Sequence, residues 1–183
     1  PKKAQIKNIA QLLSSNYQIA AQAGLPYFQF LQKKYPNMKA KVVPYNGGIA
    51  QYLSLENYAQ QGFATSEPLL ADKAKKPAQV FFIADEGYNP YTTVLAVNKK
   101  YFDQHKNEVD QMIQILTQSW TSYLKNPTET NQLMAQLNPS MNLEAMNESA
   151  LTQVALIQNS AGIGQMTQQR WEELVGQMKD LNI

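Results

Sequence analysis

Residues 61–91 constrain this chain more than any other stretch. A short apolar run from Gly62 to Thr65 stops abruptly in Ser66-Glu67-Pro68. Thr65 or Ser66 can cap a helix, and Pro68 suits a first helical turn, where its missing N–H leaves nothing unsatisfied. The reading is therefore strand, sharp turn, helix. Residues 78–84, rich in Val, Phe and Ile, predict a second strand, which ends in Asp85-Glu86-Gly87-Tyr88-Asn89-Pro90-Tyr91. Two strand ends thus deliver Thr65, Ser66, Glu67, Asp85, Tyr88, Asn89 and Tyr91. In an open α/β sheet, ligands sit outside the carboxyl ends of the strands. Hydroxyls, carboxylates and flat rings gathered there describe a small-molecule pocket better than a catalytic centre. Turn chemistry alone accounts for either turn taken singly.

The same alternation precedes this stretch. Residues 5–14 predict a short helix or connector, and Tyr17 to Ala21 a strand. Gly24 and Pro26 then turn the chain into a helix reaching Tyr35. The free N–H groups at that helix start suit a polar or anionic ligand group, although an ordinary strand–helix turn explains them equally well. Lys41 to Tyr45 predicts another strand, followed by Asn46-Gly47-Gly48 and a helix over about 49–58. Gly47 and Gly48 lack the following Lys-Ser/Thr of a phosphate loop, so they mark a turn or a close backbone approach. Repeated strand and helix predict a mainly parallel sheet with covering helices. Residues 91–98 read as one more strand. From Asn107, a candidate cap, the pattern turns helical: Val109, Met112, Ile113, Leu116, Trp120, Tyr123 and Leu124 recur at helical spacing. Further helices follow from Asn126-Pro127 to Leu137 and from Asn142 to about Gln158. Residues 160–164 read as a loop, and Thr167 caps a last helix. The tryptophans and methionines of these stripes read as core.

Composition removes several classes of function. A net charge of +2 over 183 residues, with scattered lysines, gives no electrostatic case for nucleic acid or membrane. With no Cys and a single His, His105, no second His or Cys can complete a metal site; a Ser-His-Asp triad would have to use His105, and no Gly-x-Ser-x-Gly elbow is present, so no cofactor is called for. No run approaches the roughly 20 apolar residues of a membrane span. Glu67 with Asp85 is the one carboxylate pair that leaves an enzymatic alternative open, of pyrimidine or glycosidic chemistry. A module that binds a protein and no small ligand is a third class.

Thr65-Ser66-Glu67-Pro68-Leu69-Leu70-Ala71 followed by Gly87-Tyr88-Asn89-Pro90-Tyr91 resembles the substrate-binding proteins of ABC importers. The resemblance extends through Pro44-Tyr45-Asn46-Gly47 and Met166-Thr167-Gln168-Gln169-Arg170-Trp171, in the same order, toward the group that handles thiamine-precursor pyrimidines, riboflavin-like compounds, sulfonates or nitrate. It implies a type II periplasmic-binding fold, α/β with a helical C-terminal part of the other lobe. Residues 1–14 would be a connector from the first lobe, 15–90 the second lobe, and 91–183 the return to the first. A ligand in the interlobe cleft would meet Gly24, Tyr45, Asn46, Gly47, Thr65, Ser66, Glu67, Asp85, Tyr88, Asn89 and Tyr91. The partners would be a small nutrient and the membrane-embedded permease subunits, in a periplasmic or exported, lipid-anchored setting. The enzymatic relatives of this fold carry a Cys-rich motif, which is missing here. The family's signal segment and the opening of its first lobe have no counterpart ahead of Pro1. The chain is therefore expected to be a fragment that binds weakly and self-associates through uncovered helix faces.

Overall fold

Three short parallel strands organise the first half of the chain. The computed structural model describes residues 6–139, 142–158 and 162–183. Residues 1–5 of the expected connector and 160–161 of the expected loop lie outside them. The elements, in order, are α1 (Ile9–Leu13), β1 (Gln18–Ala21), α2 (Pro26–Lys34), β2 (Lys41–Pro44), α3 (Ala50–Ser54), β3 (Tyr58–Gln60) and α4 (Glu67–Lys73). A 3-10 turn (Ile83–Glu86) comes next, then α5 (Lys99–Gln104), α6 (Lys106–Lys125), α7 (Thr128–Leu137), α8 (Leu143–Ile157) and α9 (Gln168–Asp180). They form two compact units, one of residues 6–90 with Thr167–Ile183 and one of Tyr91–Met166.

In the first unit β1 is central, flanked by β2 and β3, with Ile19 in register with both Val42 and Ala59. Parallel neighbours need crossovers, and α2 and α3 supply them. β1 buries Ile19, Ala20 and Ala21, as a strand covered on both faces must. Its core is Ile9, Leu13, Ile19, Ala21, Phe28, Leu31 and Ala40. Helix α1 therefore packs into this core, and Leu13 anchors the approach to β2 by accepting from the amides of Lys39 and Ala40 (2.9 and 3.0 Å). Helix α9, grouped with 91–183 in the sequence reading, packs with this unit. Its Asp180 carbonyl accepts from Lys33 Nζ at 2.6 Å.

The predominantly α/β class holds, with a smaller sheet than expected. The strand expected over 61–65 lies three residues earlier, as β3. The Gln61 amide still donates to the Ala20 carbonyl of β1 (2.9 Å), but residues 62–66 peel away as the Phe63 amide donates to the Glu67 carboxylate (2.8 Å), off the ladder. The helix expected over 49–58 ends at Ser54, and Asn57, at φ +51, turns the chain into β3. Residues 78–84 and 91–98 form no ladder. The alternation in 80–83 is present in the side chains: Phe81 and Ile83 pack on the core, while Val80 and Phe82 face outward. The backbone lacks a neighbouring strand among the described residues, and the run ends in the 3-10 turn with Gly87 left-handed at φ +98.

The second unit is helical. Helix α5 was not expected. Asn98 caps it, accepting from the Lys100 amide (2.9 Å), and Lys99 pairs with Asp103 across one turn. His105 ends α5 and begins α6, so the expected cap Asn107 lies inside α6. Asn131 of α7 is fully buried, accepting from the Tyr123 hydroxyl (3.0 Å) and donating to Asn147 Oδ1 (2.8 Å). It ties α6, α7 and α8 together.

Candidate functional site

Because β1, β2 and β3 are parallel, their outgoing loops converge at one end of the sheet. The β1 loop passes through Gly24, left-handed at φ +78, and enters α2 with Pro26 in its first turn. The β2 loop is Tyr45-Asn46-Gly47-Gly48, with Gly47 and Gly48 both at positive φ. A side chain at either glycine would be strained by the backbone alone. The β3 loop carries Gln61, Gly62 and Phe63 into α4, which starts at Glu67 after Ser66.

Side chains lace these loops together. Gln61 Oε1 accepts from the Gln22 amide and the Tyr27 hydroxyl, both at 2.7 Å. Gln60 Nε2 donates to the Gly48 carbonyl at 2.8 Å. The Tyr45 hydroxyl donates to Glu67 Oε1 (2.8 Å), while Glu67 Oε2 takes the Phe63 amide. Burial pushes the Tyr45 phenol up to about 12, and the adjoining carboxylate adds to the shift. Burial alone takes Tyr27 to about 12. Both hydroxyls thus remain donors across the physiological range. A Cβ on Gly62 would meet Glu67 Oε2 at 3.0 Å, so Gly62 lets the carboxylate fold back onto its loop. Ser66 is the N-cap residue of α4 yet makes no side-chain capping bond, and Thr65 is half-buried beside it.

The eleven residues singled out in the sequence separate into groups. Gly24, Tyr45, Asn46, Gly47, Thr65, Ser66 and Glu67 lie in or directly after the loops that leave the carboxyl ends of the strands, where Tyr45 bonds to Glu67. Asp85, Tyr88 and Asn89 lie elsewhere in the same unit. Asp85 is exposed in the 3-10 turn beside Glu86, which is bonded to Lys34 and Tyr35 at the C-terminal end of α2. Helix α2 runs back from the carboxyl ends for nine residues, about 13 Å at 1.5 Å per residue. Glu67 and Asp85 are therefore held at opposite ends of that helix. Tyr88 is buried against Phe30, ring centroids 5.4 Å apart, and Asn89 accepts from Arg170. Tyr91 opens the second unit. Sequence reasoning missed Gln61, Tyr27 and Phe63. Phe63 is 74% exposed, and its backbone amide donates to the Glu67 carboxylate. Its signal was its place after Gly62 at a strand exit.

A family described as NMT1/THI5 like matches residues 37–130, just over half of the chain. The chain belongs to the NMT1/THI5-like family. The family falls in the type II periplasmic-binding-protein group, the substrate-binding proteins of ABC importers for thiamine precursors, sulfonates and nitrate. Its members generally bind solutes for transport, without being enzymes, and are typically periplasmic or exported. The matched range contains every candidate residue except Gly24. It stops short of the Met166–Trp171 motif. No curated protein matches the chain. Among the described residues of this NMT1/THI5-like chain, no helix is long and apolar enough to cross a membrane, and no group of His, Cys, Asp and Glu side chains could hold a metal ion.

Proposed function

We propose that this chain binds a small heteroaromatic, pyrimidine-like solute at the carboxyl ends of β1, β2 and β3, as the solute-binding component of an ABC importer. The observation that supports this reading most is the Glu67 carboxylate, held by the Tyr45 hydroxyl and the backbone amide of Phe63, a residue whose side chain is exposed. Each carboxylate oxygen has one donor and retains capacity for another, such as a ring amino group. Phe63 offers a face for stacking, while Thr65, Ser66 and Asn46 can orient polar substituents. A sulfonate or nitrate site would call for cationic or backbone donors, and the chain's one arginine, Arg170, is bonded to Asn89. An anionic nutrient is the second ligand class, and permease subunits are the partners this role requires. In this reading residues 15–90 contribute the ligand-holding lobe.

Isothermal titration of aminopyrimidines, flavins, taurine and nitrate tests it. An aminopyrimidine should bind best, and Glu67→Gln should weaken it by about tenfold or more, the loss of a charge-assisted bond. Taurine or nitrate binding more tightly would refute the ligand class. Turnover lost in Glu67→Gln with binding retained would mark an enzyme. Failure of every compound, with a protein partner captured instead, would favour an interaction module.

A further inference from the structure

The chain leaves the first unit after Pro90 and re-enters it at Thr167. Within that unit one side chain holds both places. Arg170, in the first turn of α9, donates through Nε to the Asn89 carbonyl (2.6 Å). Its Nη2 donates to Asn89 Oδ1 (2.7 Å) and to the Pro90 carbonyl (3.0 Å). Two turns further along α9, Gln177 Nε2 donates to the Gly87 carbonyl at 2.8 Å. Positions seven apart share a helix face, so α9 lies along residues 87–90 and satisfies three of their carbonyls. The segment itself belongs to no ladder or helix, and Gly87 turns it in a left-handed conformation. A guanidinium donates in a fixed planar fork, which a lysine cannot reproduce.

We propose that Arg170 is a pin that fastens the departure segment 87–90 to the re-entry segment 167–170. Both passages between the units then start from one rigid place in the first unit, and the freedom of the second unit is set there. Lys33 also secures α9, but at its far end, through the Asp180 carbonyl. The pin is independent of the ligand, and so is its test.

The chain has no cysteine, so Lys39→Cys and Gln132→Cys, exposed positions in the two units, can carry spin labels alone. Arg170→Gln should broaden the distance distribution between them, and Arg170→Lys should broaden it less. Amide exchange at Gly87, whose N–H donates to the Ala84 carbonyl, should rise by about tenfold in Arg170→Gln while β1, β2 and β3 keep their protection. Asn89→Ala, which removes one of the three bonds, should give a smaller change of the same kind and serves if Arg170→Gln does not fold. An unchanged distribution in whichever variant folds overturns the proposal. So does exchange that rises equally through the sheet, since Arg170 would then add stability without governing the passages.

Discussion

The sheet unit hides Leu13, Ile19, Phe28 and Leu31 in one contiguous core, whereas among the described residues of Tyr91–Met166 the buried apolar anchors are Val109, Met146 and Ala150, beside the polar Asn131. Leu137 and Leu151 are 77% and 74% exposed, and Met112, Ile113, Ile115 and Leu156 also face outward. Both stretches have the amphipathic spacing that marks a core face. In the first unit α1, α2 and β1 close together over that face. In the second, three helices meet around a hydrogen-bonded asparagine. A periodic stripe shows which face of a helix is apolar; only tertiary structure shows what covers it.

The largest expected effect lies in the sheet core. Leu13→Ala should cost about 2–5 kcal/mol, because a side chain only 2% exposed leaves a cavity that its neighbours refill poorly. Leu137→Ala, in the other unit, should change stability by no more than about 0.5 kcal/mol. Each unit has one tryptophan, Trp171 in the first and Trp120 in the second. Urea unfolding in Trp120→Phe and Trp171→Phe backgrounds therefore follows the units separately. A large loss in Leu137→Ala would break the contrast, since that residue would then have to be buried in solution.

Next comes Asn131→Ala, expected to cost the second unit about 1–3 kcal/mol by stranding the Tyr123 hydroxyl and the Asn147 carbonyl. Adding Tyr123→Phe should cost little more, because the hydroxyl has already lost its partner. Full additivity of the two changes would show that the network does not act as a unit.

How far these differences were legible in the sequence follows from the range of the interactions involved. Helices α6 to α9 were legible within a few residues because periodicity and caps are local: Asn142 and Thr167 do cap α8 and α9. Helix α5 was missed because residues 98–104 carry a cap and an ion pair rather than an apolar stripe. Strands over 78–84 and 91–98 were expected from β-branched and aromatic content, but a strand needs a partner that lies elsewhere in the chain. The candidate site was legible as far as strand ends could be placed. Tyr45 and Glu67, 22 residues apart, do meet. That Tyr88 turns inward onto Phe30, and that Gln61 rather than Asn89 laces the loops, depends on packing that no local pattern encodes.

A smaller effect separates the units by pH. Lys34, helped by Tyr35, holds the Glu86 carboxyl below its ordinary value at the outer end of α2. A carboxyl depressed on folding contributes stability above its unfolded pKa and loses it as pH falls through the folded one. Lys34→Met should thus weaken the first unit at neutral pH by under about 1 kcal/mol, since the lysine is partly solvated. The deficit should shrink in acid and leave the Trp120 transition unmoved. A deficit that persists unchanged well below the carboxylate range would mean that Lys34 acts through packing alone.

The smallest expected difference between the units is between a cap in each. Asn142 Oδ1 accepts from the Ala145 amide at 3.0 Å, whereas Thr167 Oγ1 accepts from the Arg170 amide at 3.4 Å, near the limit of a useful bond. Asn142→Ala should cost about 1 kcal/mol and Thr167→Ala roughly half of that, since asparagine is also the better N-cap residue. The weaker cap lies on the helix that carries Arg170, and three side-chain bonds from that arginine hold the same turn in place. Thr167→Ala should therefore be nearly silent in the parent chain and should cost more in the Arg170→Gln background, where the cap becomes the main restraint on the first turn. Ligand affinity should be unaffected by Thr167→Ala, because its hydroxyl bonds within α9, away from the loops that Gln61 and Glu67 bind together. Equal costs in both backgrounds would show that the cap and the arginine act independently. An affinity loss without a stability loss would place Thr167 in the ligand site.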